Sequence, residues 1–185
     1  MRVLSLCDYS GVWSQPYRDG GYEVIQVDLA NGQDVRLLEY PTRAIHGILA
    51  APPCTHLAGS GARWWKEKGE AALLEALSIA DACLRLVALC RPRWWVLENP
   101  VGRLSRFYGP PDFTFDPCDY GDPYTKRTLL WGQFTPPTAL FVGRDESVEP
   151  TEGSRMHRLP PSPDRARLRS ETPRGFAQAF FRCNP

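Results

Sequence analysis

Cys54 follows two prolines and a short apolar run, Ile48 to Ala51. Such a run fills a buried strand, and Pro52-Pro53 ends it, because proline neither donates to a ladder nor enters a helix interior. In an alternating α/β chain, a side chain released just past a strand lies at the edge where ligands bind. A thiol there is a candidate nucleophile. The local sequence leaves a buried structural cysteine open as the alternative. The pattern recurs at Arg93 to Leu97, a second apolar run followed by Glu98-Asn99-Pro100. If both strands run parallel, Cys54 and Glu98 reach one substrate, as nucleophile and as acid or hydrogen-bond donor. Lys126 and Arg127 open a later strand, after a Gly/Pro turn that begins at Pro117.

A second set of candidates lies near the N-terminus. Arg2 to Cys7 reads as a buried strand, Asp8-Tyr9-Ser10-Gly11 as a turn, Ser14 to Asp19 as a short helix, and Tyr22 to Leu29 as a strand carrying Asp28 near its end. A glycine-containing turn lets the backbone approach a ligand, and an acid ending the second strand accepts from ribose hydroxyls. That is the layout of a nucleoside-cofactor site, although the full GxGxxG spacing is absent; a plain strand-to-helix turn with an exposed acid is the other reading. Asp34, after the Asn31-Gly32 turn, falls at the edge of the same pocket or on a solvated loop. Thr55 to Lys68 contains Gly59 and Gly61, then Arg63, Trp64, Trp65, Lys66 and Lys68. Cations mixed with indoles suit phosphates and bases, and a glycine-hinged loop beside a nucleophile suits a lid. The two tryptophans packing where a helix begins is the alternative.

The elements that must position these groups alternate. Glu70 to Leu89 repeats apolar residues at three- and four-residue steps, as a helix covering a sheet does, until Pro92 stops it. Arg174 to Arg182 reads as a short aromatic helix. The alternation predicts an α/β fold with a mostly parallel, seven-strand-like sheet and helices on both faces. At 185 residues the chain is expected to form one domain. Its 22 Lys+Arg against 21 Asp+Glu give no global sign of a nucleic-acid binder, so any such role must rest on local basic stretches. The 6 cysteines form no CxxC pair and no zinc spacing, so no metal is expected; they read as reduced thiols. No run is long enough to span a membrane and no signal-peptide pattern is present, which points to the cytoplasm. Many of the 18 prolines fall after residue 100, and residues 133–170 read as an extended Pro/Arg-rich excursion.

Taken in order, these pieces resemble the DNA cytosine-5 methyltransferases that use S-adenosylmethionine. Tyr9-Ser10-Gly11 looks like the family's cofactor loop, Asp28 its ribose acid, and Asp34-Val35 its adenine-edge motif. Ala51-Pro52-Pro53-Cys54 matches the motif that carries the nucleophile, and Glu98-Asn99-Pro100 the motif after a buried strand. Tyr120-Gly121-Asp122-Pro123, with Lys126 and Arg127 downstream, resembles a later motif. The likeness spans residues 2–132, with a looser match at Thr172 to Phe181, and looks like that of compact phage and prophage homologues. Trp13 stands where the family has a second glycine, His46 replaces an acid, and Thr128 stands where an arginine is common. The excursion stands where the family inserts a target-recognition domain.

The resemblance implies a Rossmann-like methyltransferase fold and a bacterial or phage-infected cell. It implies S-adenosylmethionine held by Tyr9, Ser10, Gly11, Trp13, Asp28, Asp34 and Pro52. It implies chemistry by Cys54, Glu98, Lys126 and Arg127, and substrate contacts from Pro53, Asn99, Arg63 and Trp64. DNA is the implied partner, in single- or double-stranded form, with a protein partner as one source of target recognition. The same chemistry on a free cytosine nucleotide or RNA, and a degenerate module that only binds nucleic acid or protein, stay open.

Overall fold

The computed structural model describes residues 1–139, 150–162 and 165–185. Six strands form one sheet: β1 (Arg2–Leu6), β2 (Glu23–Val27), β3 (Gly47–Ala50), β4 (Trp94–Pro100), β5 (Phe113–Phe115) and β6 (Thr128–Gln133). Their spatial order is β2-β1-β3-β4-β6-β5. The first four are parallel neighbours; β6 runs antiparallel to both β4 and β5, so one reversed strand sits second from the edge.

Six strands lie among the described residues, where the alternation predicts a seven-strand-like sheet. The segment between β2 and β3 folds into 3-10 turns at Leu29–Asn31 and Val35–Leu37. Asp28 and Asp34 each turn a carboxylate back onto the backbone N–H two residues on, at Ala30 (2.8 Å) and Arg36 (2.9 Å). Such side-chain bonds compete with a strand ladder.

Side chains alternate across the sheet, and each face has its own core. Leu4, Leu6, Ile48, Ala50 and Leu97 face the long helix α2 (Trp65–Cys90), which contributes Ala76, Ala80, Cys83 and Leu86 at helical spacing. Gly69 breaks α2 with φ 72°, so the regular part begins where the hydrophobic period begins, at Glu70. On the opposite face Val3, Leu49, Val96 and Leu130 pack with aromatic residues of α1 (Gln15–Asp19) and the C-terminal helix. Between them lie α3 (Ser105–Tyr108), α4 (Arg155–Arg158) and α5 (Arg165–Ser170), and the chain closes with α6 (Arg174–Cys183).

The excursion is therefore partly helical where it is described, and its first residue, Gln133, still belongs to β6. Residues 140–149, 163 and 164 of it lie outside the described residues. Backbone bonds from Glu152 to Pro123 (2.9 Å) and from Thr125 to Gly153 (2.8 Å) stitch it to the turn before Lys126. No helix among the described residues is long and apolar enough to cross a membrane.

Trp13 is fully buried in the second core, its ring 6.2 Å from Phe176 and 5.9 Å from Phe180. It ties the turn after β1 to α6. Trp13→Ala should cost about 3–5 kcal/mol of stability, read as a lower urea midpoint at unchanged slope.

Candidate active site

Strand register decides which side chains meet. Leu6 pairs with both Val27 and Ala50, and Ala50 pairs with Leu97. The next residues along each strand are thus Cys7, Asp28, Ala51 and Glu98, at one edge of the sheet. A cavity of about 980 Å³ opens there. Asp8, Tyr9, Ser10 and Asp28 line one part of it, Pro53, Cys54, Arg63 and Trp64 another. The two candidate sets share one space.

The turn after β1 is built on Asp8, which the sequence reading treated only as part of a turn. Asp8 is buried, and its carboxylate accepts from Ser5 Oγ (3.0 Å), the Gly11 N–H (3.0 Å) and Ser14 Oγ (3.0 Å). Serines three residues before and six after an acid at a strand end were the available signal. Asp28 and Ser10 on the cavity wall offer an acceptor and a hydroxyl, and half-exposed Tyr9 offers a ring face. That donor set fits an adenosine moiety. Gly11 and Trp13 are not among the lining residues; Gly11 shapes the turn and Trp13 packs beneath it. Asp34 does not line the cavity either. It forms a bidentate pair with Arg36 (2.6 and 3.0 Å), which holds its carboxyl below the usual range.

The Cys54 loop is fixed from β4. Asn99 is fully buried and its Nδ2 donates to the Pro52 carbonyl at 2.9 Å. The chain after Cys54 is then held by the segment after β4. Gly59 N–H donates to the Val101 carbonyl (2.8 Å), Arg103 N–H to Leu57 (2.9 Å), and the Arg103 guanidinium to His56 (2.8 Å) while lying over Trp65 at 4.6 Å. A Cβ at Gly102 would collide with the Leu57 carbonyl oxygen, so this close approach requires glycine. Arg103 and Gly102 were missed in the sequence, because nothing local marks a contact over such a separation.

Cys54 is half-buried. Burial pushes its thiol up, and the nearby Glu98 carboxyl pushes it further; Lys126 and Arg169 pull it down. Burial likewise pushes the Glu98 carboxyl up, with Lys126 opposing. Glu98 and Lys126 are not among the cavity-lining residues but act electrostatically on Cys54. Among the described residues no hydrogen-bond donor reaches the Glu98 carboxyl. A thiol, a carboxyl held toward its neutral form and an ammonium thus converge. Arg127 is held elsewhere, by Asp116 (3.4 Å) and Thr114 (3.3 Å) beside β5, with its side chain 60% exposed.

No protein-family model matches the chain, and no curated protein sequence matches it. Among solved structures, a candidate DNA modification methyltransferase encoded within a prophage of E. coli is similar to it, with a TM-score of 0.53 and 19% identity. The match covers 72% of this chain and 46% of that one, so the chain spans less than half the length of that neighbour. With the sheet order and the helices on both faces already described, this likeness shows that the chain has the mixed α/β, Rossmann-like fold of that neighbour.

Proposed function

We propose that the chain transfers a methyl group from S-adenosylmethionine to C5 of cytosine in DNA, through a covalent adduct between Cys54 and C6 of the base. The observation that carries this reading is the convergence of Cys54, Glu98 and Lys126 beside a cavity whose other part offers Asp28, Ser10 and Tyr9. The neighbour's description as a DNA modification enzyme supports DNA as the substrate.

Cytosine C5 is a weak nucleophile. Addition of the Cys54 sulfur to C6 places electron density on C5 and negative charge toward N3 and O2. Glu98, whose carboxyl burial pushes up toward its protonated form, donates to N3 when protonated, and Lys126 offsets charge on the O2 side. The Cys54 proton must leave first, and burial beside Glu98 keeps the resting thiol neutral, which limits unproductive reactions. S-adenosylmethionine, when bound by Asp28, Ser10 and Tyr9, supplies the electrophilic methyl group. Loss of the C5 proton to water and expulsion of the Cys54 thiolate would then release the methylated base, the demethylated thioether of the cofactor being the other product. A target inside a duplex must first leave the stack. Arg63 and Trp64, stacked at 5.0 Å on the cavity wall, offer it a cation and a ring.

The test is incubation with methyl-labelled cofactor and duplex DNA, single-stranded DNA, RNA or deoxycytidine monophosphate, followed by digestion. Label in 5-methyldeoxycytidine from DNA is expected. Label on an exocyclic amine, on RNA or the mononucleotide alone, or nowhere, overturns the reading.

A further inference from the structure

Part of the cavity lining comes from a segment to which the chemistry above assigns no step. Arg165, Arg167 and Arg169 of α5 line the cavity, as do Arg63 and Lys68 from the Cys54 side. Among the described residues the lining carboxylates are Asp8 and Asp28, and Asp8 is engaged in its own turn. The chain is almost neutral overall, at +1, so this end of the cavity is a local concentration of positive charge. Arg165 buries its Nε with no acceptor. Arg169 donates to Ser60 Oγ at 3.1 Å, bridging α5 to the 3-10 turn Gly59–Trp64, and its charge reaches Cys54.

These cations do not suit the cofactor, whose sulfonium and amino groups are positive and whose single carboxylate needs one partner. A mononucleotide's one phosphate also engages only one or two of them. Several guanidinium groups lining one cavity match a run of phosphates, which arginine binds in bidentate fashion.

We propose that α5 is a phosphate clamp: Arg165, Arg167 and Arg169 hold the sugar-phosphate backbone of the DNA strand whose cytosine enters at Cys54. The clamp rests on the reading that DNA is the substrate. Arg169 exchanges its Ser60 hydroxyl for a phosphate, because an ionic acceptor bonds roughly twice as strongly as a neutral one. Entry of the strand therefore opens the bridge between α5 and the Gly59–Trp64 turn. Phosphate contacts carry no sequence information. A chain that grips its substrate this way binds DNA of any sequence alike.

The experiment is fluorescence anisotropy with labelled DNA and RNA oligonucleotides over a range of salt concentrations. It compares the full chain with Arg167→Gln, Arg169→Gln and, as a control, Arg93→Gln, which lies at the opposite end of the sheet beside β4. Circular dichroism verifies that each variant is folded. Each α5 substitution should weaken DNA binding uniformly across sequences. It should also reduce the slope of log affinity against log salt by about 0.7 on single strands and about 0.9 on duplex. Arg93→Gln should leave the slope unchanged. Wild-type slopes in both α5 variants, an equal loss in Arg93→Gln, or effects confined to RNA overturn the clamp. Binding is read without methyl transfer, so the two proposals fail separately. Altered slopes with no methylation sink only the chemistry, and methylation with unaltered slopes sinks only the clamp.

Discussion

Cys54→Ala should lower methyl transfer by at least about 10⁴-fold, while DNA affinity and the thermal midpoint stay close to wild type. The loss is large because Cys7, the other thiol that lines the cavity among the described residues, follows β1 and not the Pro52-Pro53 turn that presents Cys54. The fold should tolerate the change because Cys54 is half-buried and its loop is fixed by backbone contacts and Asn99, not by its own side chain. A second measurement reads the adduct directly. On an oligonucleotide carrying 5-fluorocytosine, C5 has no proton to lose after methylation, so Cys54 cannot be expelled. A protein–DNA species that survives a denaturing gel is expected for wild type and not for Cys54→Ala. Transfer that persists in the alanine variant would remove the covalent mechanism.

Glu98→Gln should reduce kcat by about 100- to 1000-fold, the scale of losing one donor aimed at developing charge. Its more telling effect is on pH dependence. The reactive form needs Cys54 ionised and Glu98 protonated. The thiol is pushed up by burial and by Glu98, so activity rises with pH as the thiolate forms. The carboxyl is also pushed up by burial, so activity falls as pH climbs through its raised value. Together these give a bell. Glutamine keeps a donor that does not titrate, so Glu98→Gln should abolish the descending limb and leave a rate that only rises. Stability has the same sign. A carboxyl raised in the folded state favours folding while protonated, and this contribution is lost as pH rises through the folded value. Glu98→Gln should flatten that dependence in denaturant titrations. A variant that keeps the full bell would remove Glu98 from the proton inventory.

Much of the site was legible because its residues sit at strand ends, and proline punctuates strands in a readable way. Pro52-Pro53 and Pro100 placed Cys54 and Glu98 at the ends of apolar runs, and parallel pairing of β3 with β4 brings those ends together. Asp28 was legible for the same reason at β2. The start of the regular helix at Glu70 was read from its hydrophobic period, and Gly69 accounts for it.

Other positions depended on what folds against them. Asp34 has the spacing of a pocket acid, but Arg36, two residues on, takes its carboxylate. Trp13 follows the cofactor turn in the sequence, yet α6 supplies the apolar surface that draws the indole into the core. Lys126 and Arg127 are adjacent and alternate in direction, so one acts on Cys54 while the other pairs with Asp116.

The sequence by itself determined the alternating elements and the positions of Cys54 and Glu98 just past or at the ends of parallel strands, because strand period, proline and glycine act over a few residues. Only the tertiary structure decided that Arg103 and Gly102 hold the Cys54 loop, that Asp8 organises the first turn, and that the arginines of α5 line the same cavity as Cys54. Those contacts join residues far apart in the chain. Their free energy comes from packing and charge that exist only once the sheet has assembled, and such contacts leave no local period to be read.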